Sequence, residues 1–160
     1  MSYFYDYIKS FGDKTINIYI DMDGVVADYD IEGYKNDGSN DDVYLNKRAV
    51  MSSIRPLEEV SHLDNVNLNI LSVSRYERQV PGKLTWLDNN MKFIKKENIN
   101  ILPRDTNNFT KSKDLKKNFL IEHTKNDDIN IHIDDAHDVM ETLMELDINL
   151  IILHVTSLID

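Results

Sequence analysis

Ile20-Asp21-Met22-Asp23-Gly24-Val25-Val26-Ala27-Asp28 decides how this chain is read. The run before it, Thr15-Ile16-Asn17-Ile18-Tyr19-Ile20, has the length and β-branched content of a strand. It delivers two carboxylates spaced i and i+2, and Gly24 with a short apolar stretch then turns the chain away. Aspartates usually sit in solvent. Here they end a stretch that reads as core, and that placement points to chemistry.

Four further apolar runs, at 66–71, 99–102, 129–133 and 150–155, complete a set of five strands. Asn17, Asn67, Asn69 and Asn130 interrupt them, which predicts a sheet with one side partly covered. Between the runs lie helical stripes. Leu84, Leu87, Met91 and Ile94 form one, with Trp86 beside it. Val139, Met140, Leu143 and Leu146 form another, and Leu115, Phe119 and Leu120 a third, with Ser112 or Thr110 as its expected cap. A short helix is expected over 57–63. Strands alternating with helices predict an α/β fold, three-layered and Rossmann-like, with a mainly parallel five-stranded sheet in the order 5-4-1-2-3. Residues 29–60 include the polar stretch Asn36-Asp37-Gly38-Ser39-Asn40-Asp41-Asp42. Such a connection exceeds the roughly 2–6 residues usual for a βα loop and predicts a small helical cap inserted after strand 1. The 160 residues otherwise read as a single domain.

Composition narrows the partners. The net charge is −10, from 18 Lys and Arg against 28 Asp and Glu, which argues against a long nucleic acid but not against a small phosphorylated ligand. Cysteine is absent, so thiolate chemistry and disulfides are excluded. No apolar run approaches the ~20 residues of a membrane span. The N-terminal residues lack a signal-peptide layout, so a cytoplasmic location is expected.

The run 129–133 enters Asp134-Asp135 directly. If its strand neighbours the first, Asp21, Asp23, Asp134 and Asp135 converge at the carboxyl edge of the sheet, where open α/β sheets bind ligands. Carboxylates gathered there repel one another unless a cation neutralises them, and an all-oxygen donor set suits Mg²⁺. Asp41-Asp42 and Asp127-Asp128 show that an Asp pair alone carries little information; the two acidic motifs that follow strands carry it together.

Asp21-Met22-Asp23-Gly24-Val25-Val26 followed by Asp28 resembles the first motif of the haloacid dehalogenase-like (HAD) phosphohydrolases, in the form found in their 5'(3')-deoxyribonucleotidase branch. The resemblance implies that Asp21 is a nucleophile forming an aspartyl-phosphate. It implies that Asp23 protonates the leaving alcohol and then activates water. Mg²⁺ would be held by Asp21, the Asp23 carbonyl and Asp134, with Asp135 assisting. Physical chemistry agrees: a metal and good positioning make a carboxylate a competent nucleophile. Asp23 can act as an acid if its pKa lies above that of its ionised neighbour. Gly24 would let the backbone approach the phosphate.

The second motif is matched by Ser72, whose hydroxyl would bind a phosphate oxygen together with the backbone beyond it at Val73. Ser74 and Arg75 would serve the substrate. For the third-motif lysine, Lys113 is the first choice, with Lys111 and Lys83 open; Lys83 also resembles a substrate-side lysine preceding a Trp. Tyr34, Tyr44, Arg48 and Trp86 would contact a base or pack the cap. Two departures stand out. Ser72-Val73 replaces the Thr-Ser of many nucleotidases, and Thr106 stands where a lysine would follow Arg104-Asp105. The expected function is Mg²⁺-dependent hydrolysis of a phosphate monoester, with a (deoxy)nucleoside 5'-monophosphate as first substrate. Another small phosphorylated metabolite, a nucleic-acid 3'-phosphate, or binding of phosphate and Mg²⁺ without turnover are the alternatives.

Overall fold

The computed structural model describes residues 1–29, 44–104 and 110–159. Residues 30–43 of the expected cap therefore lie outside the described residues, as does Thr106. Five strands form one sheet: β1 (Ile16–Ile20), β2 (Val66–Ser74), β3 (Ile99–Pro103), β4 (Ile129–Asp134) and β5 (Ile151–His154). Every neighbouring pair is parallel. The order across the sheet is β3-β2-β1-β4-β5, which from the opposite edge reads 5-4-1-2-3. β1 is central, with Ile20 beside Ile70 of β2 and Ile133 of β4.

The helices are α1 (Tyr3–Lys9), α2 (Met51–Ser61), α3 (Val80–Asn90), α4 (Ser112–His123) and α5 (His137–Met144). The strand period of two separates two cores. Ile16, Ile18 and Ile20 enter the larger one, with Phe4 and Ile8 of α1, Ile54, Leu57 and Val60 of α2, and Trp86 and Leu87 of α3. Tyr19 and Leu71 enter the smaller, with Leu120 of α4 and Val139 and Leu143 of α5. Among the described residues no helix is long and apolar enough to cross a membrane.

The strand asparagines have a structural reason. Asn67, Asn17 and Asn130 sit in register on three adjacent strands. The Asn67 amide donates to Asn17 Oδ1 at 3.1 Å, and the Asn17 amide donates to Asn130 Oδ1 at 3.2 Å and Asp128 Oδ2 at 3.0 Å. This side-chain ladder crosses the sheet on the smaller-core face, and Asn67 is exposed.

Several local features differ from the expectations or were absent from them. α1 carries no long apolar stripe; it forms because Ser2 caps it and Phe4 and Ile8 are buried. α3 stops at Asn90, so Met91 and Ile94 pack beyond the helix rather than on it. α2 starts at Met51, earlier than the helix expected over 57–63, because Ile54 belongs to the same buried face. α4 begins at Ser112 with Lys111 as its N-cap, where Ser112 or Thr110 was expected, and the Lys111 side chain makes no capping bond. β2 runs on to Ser74, so Ser72 lies inside the strand, paired with Ile101.

Candidate active site

Asp21 follows β1 directly and Asp134 ends β4, and the Asp21 N–H donates to Ile133 O at 3.0 Å. Adjacency of the two strands thus brings together carboxylates far apart in the chain. Asp21, Asp134 and Asp135 each offer an oxygen, all within 4.8 Å of one another. Lys116 is 3% exposed and bridges two of them, with Nζ 2.8 Å from Asp21 Oδ1 and 2.6 Å from Asp134 Oδ2. Its pKa is raised: burial works against the charge, but Asp21 and Asp134 outweigh it.

Burial, with Asp134 and Asp23 nearby, raises the Asp21 pKa in spite of Lys116. Asp134 moves down: burial opposes ionisation, but a hydrogen bond from His132 and the Lys116 charge outweigh it. His132 Nε2 lies 2.9 Å from Asp134 Oδ2, and burial lowers the His132 pKa, so a neutral ring donates this bond. Asp134 Oδ1 accepts the N–H of Ala136, the N-cap of α5, at 3.0 Å. Asp138 stands in the first turn of α5 and lines the crevice.

One ammonium does not neutralise three carboxylates. Burial and Asp134 raise the Asp135 pKa, and its Oδ1 is buried with no hydrogen-bond partner. Such an orphaned oxygen in an all-carboxylate cluster fits a divalent cation such as Mg²⁺. Gly24 shapes the same spot. It has φ +80°, and a Cβ there would lie 2.1 Å from Asp135 Oδ2.

Asp23 faces a different environment. Lys47 Nζ lies 2.6 Å from its Oδ1; Lys83 Nζ and the Tyr44 hydroxyl each donate to Oδ2 at 2.9 Å. Burial would raise its pKa, but Lys83 and Lys47 bring it down to about 2. Of the two carboxyls, Asp21 is thus the one pushed up and Asp23 the one held down.

The other expected residues divide. Lys83 is fully buried and also donates to Ser72 Oγ and Val73 O, each at 2.9 Å. Ser72 is buried beneath it, and Val73 is the second-motif residue that lines the crevice. Ser74 donates its hydroxyl to Tyr76 O at 2.8 Å. Arg75 lines the crevice on the Lys47 side. Lys113 and Lys111 line it too, but the lysine that touches Asp21 is Lys116. Arg48 pairs with Asp28 at the surface. Trp86 is buried and donates its indole N–H to Lys47 O at 2.9 Å, so it supports the site from below. Tyr34 lies outside the described residues.

Lys116 and Lys47 were not singled out from the sequence. Lys116 had a signal: it sits four residues before the buried Leu120, on the apolar stripe of α4. Lys47 had none, because its contact with Asp23 is made only by the tertiary fold.

No protein-family model and no curated protein matches the chain. The Rossmann-like fold and the acidic cluster are consistent with a HAD-like metal- and phosphate-binding architecture. They are likewise consistent with a Mg²⁺-dependent phosphoryl-transfer or hydrolase site.

Proposed function

We propose that the protein is a HAD-type phosphate monoester hydrolase acting through an aspartyl-phosphate on Asp21, with nucleoside monophosphates of the 5'(3')-deoxyribonucleotidase kind as first candidates. A small cap built from residues after β1 belongs to the same reading. The observation that carries it is the meeting of Asp21, Asp134 and Asp135 around Lys116 at the carboxyl edge of adjacent parallel strands. Asp21, Asp134, Asp135 and the Asp23 carbonyl would hold Mg²⁺, which supplies charge neutralisation for the phosphoryl oxygens.

The chain's own groups have separable tasks. Lys116 keeps Asp21 oriented beside Asp134 and offsets part of their repulsion. The Asp21 oxygen attacks phosphorus as the bond to the leaving oxygen breaks. The leaving oxygen needs a proton, and the donors gathered on Asp23 are the Tyr44 hydroxyl, Lys47 and Lys83. In the second half-reaction an ionised Asp23 is in the right state to take a proton from water. The firm hold on Asp23 also favours the second reading, a protein that binds phosphate and Mg²⁺ without turnover.

Phosphate release from a panel of deoxy- and ribonucleoside 5'- and 3'-monophosphates and sugar phosphates with Mg²⁺ separates the two. Asp21→Asn is expected to bind ligand and to lose about 10³-fold or more in kcat. Retained activity rejects Asp21 as nucleophile, and binding without turnover by the unaltered protein establishes the second reading.

A further inference from the structure

β4 carries a histidine where its surroundings favour an apolar side chain. His132 is fully buried, in register with Tyr19 of β1 and Ile152 of β5. Those two residues belong to the smaller core, with Leu120, Val139 and Leu143. A leucine or isoleucine would pack there with no polar group to satisfy. The imidazole brings two nitrogens. Nε2 lies 2.9 Å from Asp134 Oδ2, while Nδ1 is buried with no hydrogen-bond partner. Packing alone therefore gives no reason for this residue, and its one side-chain bond is to the acidic cluster.

The strand sets that contact. Residues two apart on a strand share a face, so His132 and Asp134 stand on the same side of the sheet, where Lys116 of α4 reaches Asp134. An ionised carboxylate only accepts hydrogen bonds, so Nε2 carries the hydrogen. A second proton, on Nδ1, would be buried and unpaired. The ring thus donates as its neutral Nε2–H form.

His132 is not alone in holding Asp134. His132 and Lys116 meet at Oδ2, at 2.9 and 2.6 Å, and the Ala136 N–H meets Oδ1 at 3.0 Å. The two side chains respond differently to a divalent cation. Lys116 is charged and is shared with Asp21, so a cation among the carboxylates repels it. The imidazole binds Asp134 without a charge of its own and meets no such repulsion. It can hold the carboxylate whether the cation is absent or present.

We propose that His132 is a positioning residue for the cation site: its Nε2–H fixes the Asp134 carboxylate, so that Asp134 offers an oxygen to a divalent cation together with Asp21 and Asp135. This rests on the acidic cluster being a Mg²⁺ site, and it gives the histidine no contact with substrate. Hydrogen-bond partners of metal-binding side chains contribute about 10- to 100-fold in metal affinity.

The test is an NMR titration of the full chain with Mg²⁺ alone, followed by backbone and histidine-ring nitrogen signals. In the unaltered protein the His132 ring is expected to show a protonated Nε2 and a bare Nδ1, and its signals should shift as Mg²⁺ binds. His132→Leu should raise the Mg²⁺ Kd by about 10- to 100-fold. His132→Gln keeps an N–H donor at similar reach and should recover most of that loss. Urea unfolding with a chelator separates stability from binding. A His132→Leu protein that is less stable yet binds Mg²⁺ with the original Kd overturns the proposal. So does a His132→Gln protein that binds as weakly as His132→Leu. If neither variant folds, the ring signals of the unaltered protein decide, and a ring indifferent to saturating Mg²⁺ overturns the proposal. No Mg²⁺ binding by the unaltered protein overturns the cation site and the proposal together. The expected Mg²⁺ effects without phosphate release from any ester of the panel overturn the phosphatase reading alone and leave the positioning role standing.

Discussion

Asp21 and Asp23 stand two residues apart, yet they live in opposite electrostatic settings. Asp21 shares a buried pocket with Asp134 and Asp135 and has one cation, Lys116. Asp23 has two lysines and a tyrosine hydroxyl. Spacing along a strand end sends the two carboxylates in different directions; what each one becomes depends on side chains delivered by remote segments. Lys116 comes from α4, Lys83 from α3, and Lys47 from the stretch leading into α2. The sharpest way to break the contrast is to remove Lys116. Lys116→Met leaves Asp21 and Asp134 buried without their cation, and the expected cost is about 3–5 kcal/mol in urea unfolding with a chelator present. A loss below about 1 kcal/mol would mean that Asp21 simply takes up a proton and that Lys116 is not the keystone of that half.

The contrast also has a pH signature in metal-free protein. The folded pKa of Asp21 lies above the ordinary carboxylate range. The unfolded chain therefore releases this proton first, and stability falls as pH rises from about 4. Asp23 has the opposite sign. Its folded pKa of about 2 gives a contribution fully present above the unfolded value and lost as pH falls towards 2. Melting temperatures from pH 3 to 8 with a chelator should show the upper decline weakened in Asp21→Asn and the acid limb retained. An unchanged upper decline would assign it to other groups.

Much of this arrangement was legible in the sequence, for identifiable reasons. The two acidic motifs each end an isoleucine-rich run, so strand adjacency alone brought Asp21 to Asp134. Lys83 was visible as a candidate, though not its burial under Asp23 and over Ser72. Lys113, the first choice for the third-motif lysine, lines the crevice, while the lysine in contact with Asp21 is Lys116, about one helical turn further on. Lys113 and Lys116 lie on neighbouring positions of one helix face, and only the depth of α4 against the sheet decides which reaches Asp21. The strand asparagines lowered the sheet's apparent propensity because a ladder between registered amides is invisible until the register is known.

Gly24 joins the two halves and gives an intermediate effect. Its φ of +80° is the left-handed region, where a Cβ costs about 1–2 kcal/mol. That Cβ would also lie 2.1 Å from Asp135 Oδ2, displacing the carboxylate with the orphaned oxygen. Gly24→Ala is thus expected to lose about 1–2 kcal/mol and, if Mg²⁺ binds the cluster as proposed, most of the stabilisation that binding would give, about 2.7 kcal/mol at 100 times Kd. A variant equally destabilised but fully responsive to Mg²⁺ would separate the glycine from the cluster.

The smallest effect belongs to Arg48, whose ion pair with Asp28 lies at the surface. The same junction is stitched by backbone bonds, from the Asp28 N–H to Arg48 O at 2.9 Å and from the Val50 N–H to Val26 O at 2.8 Å. Neither depends on the arginine side chain. Beneath them Val25, Val26 and Ala27 are fully buried, so the chain's departure from and return to the site are fixed by packing and main-chain bonding. An exposed pair contributes roughly 0–1 kcal/mol, which salt screens further. Arg48→Ala should therefore shift the urea midpoint by no more than this range allows, and the shift should vanish at high salt. A larger, salt-insensitive loss would show that the side chain itself closes the junction, and that the Lys47 contact with Asp23 depends on it.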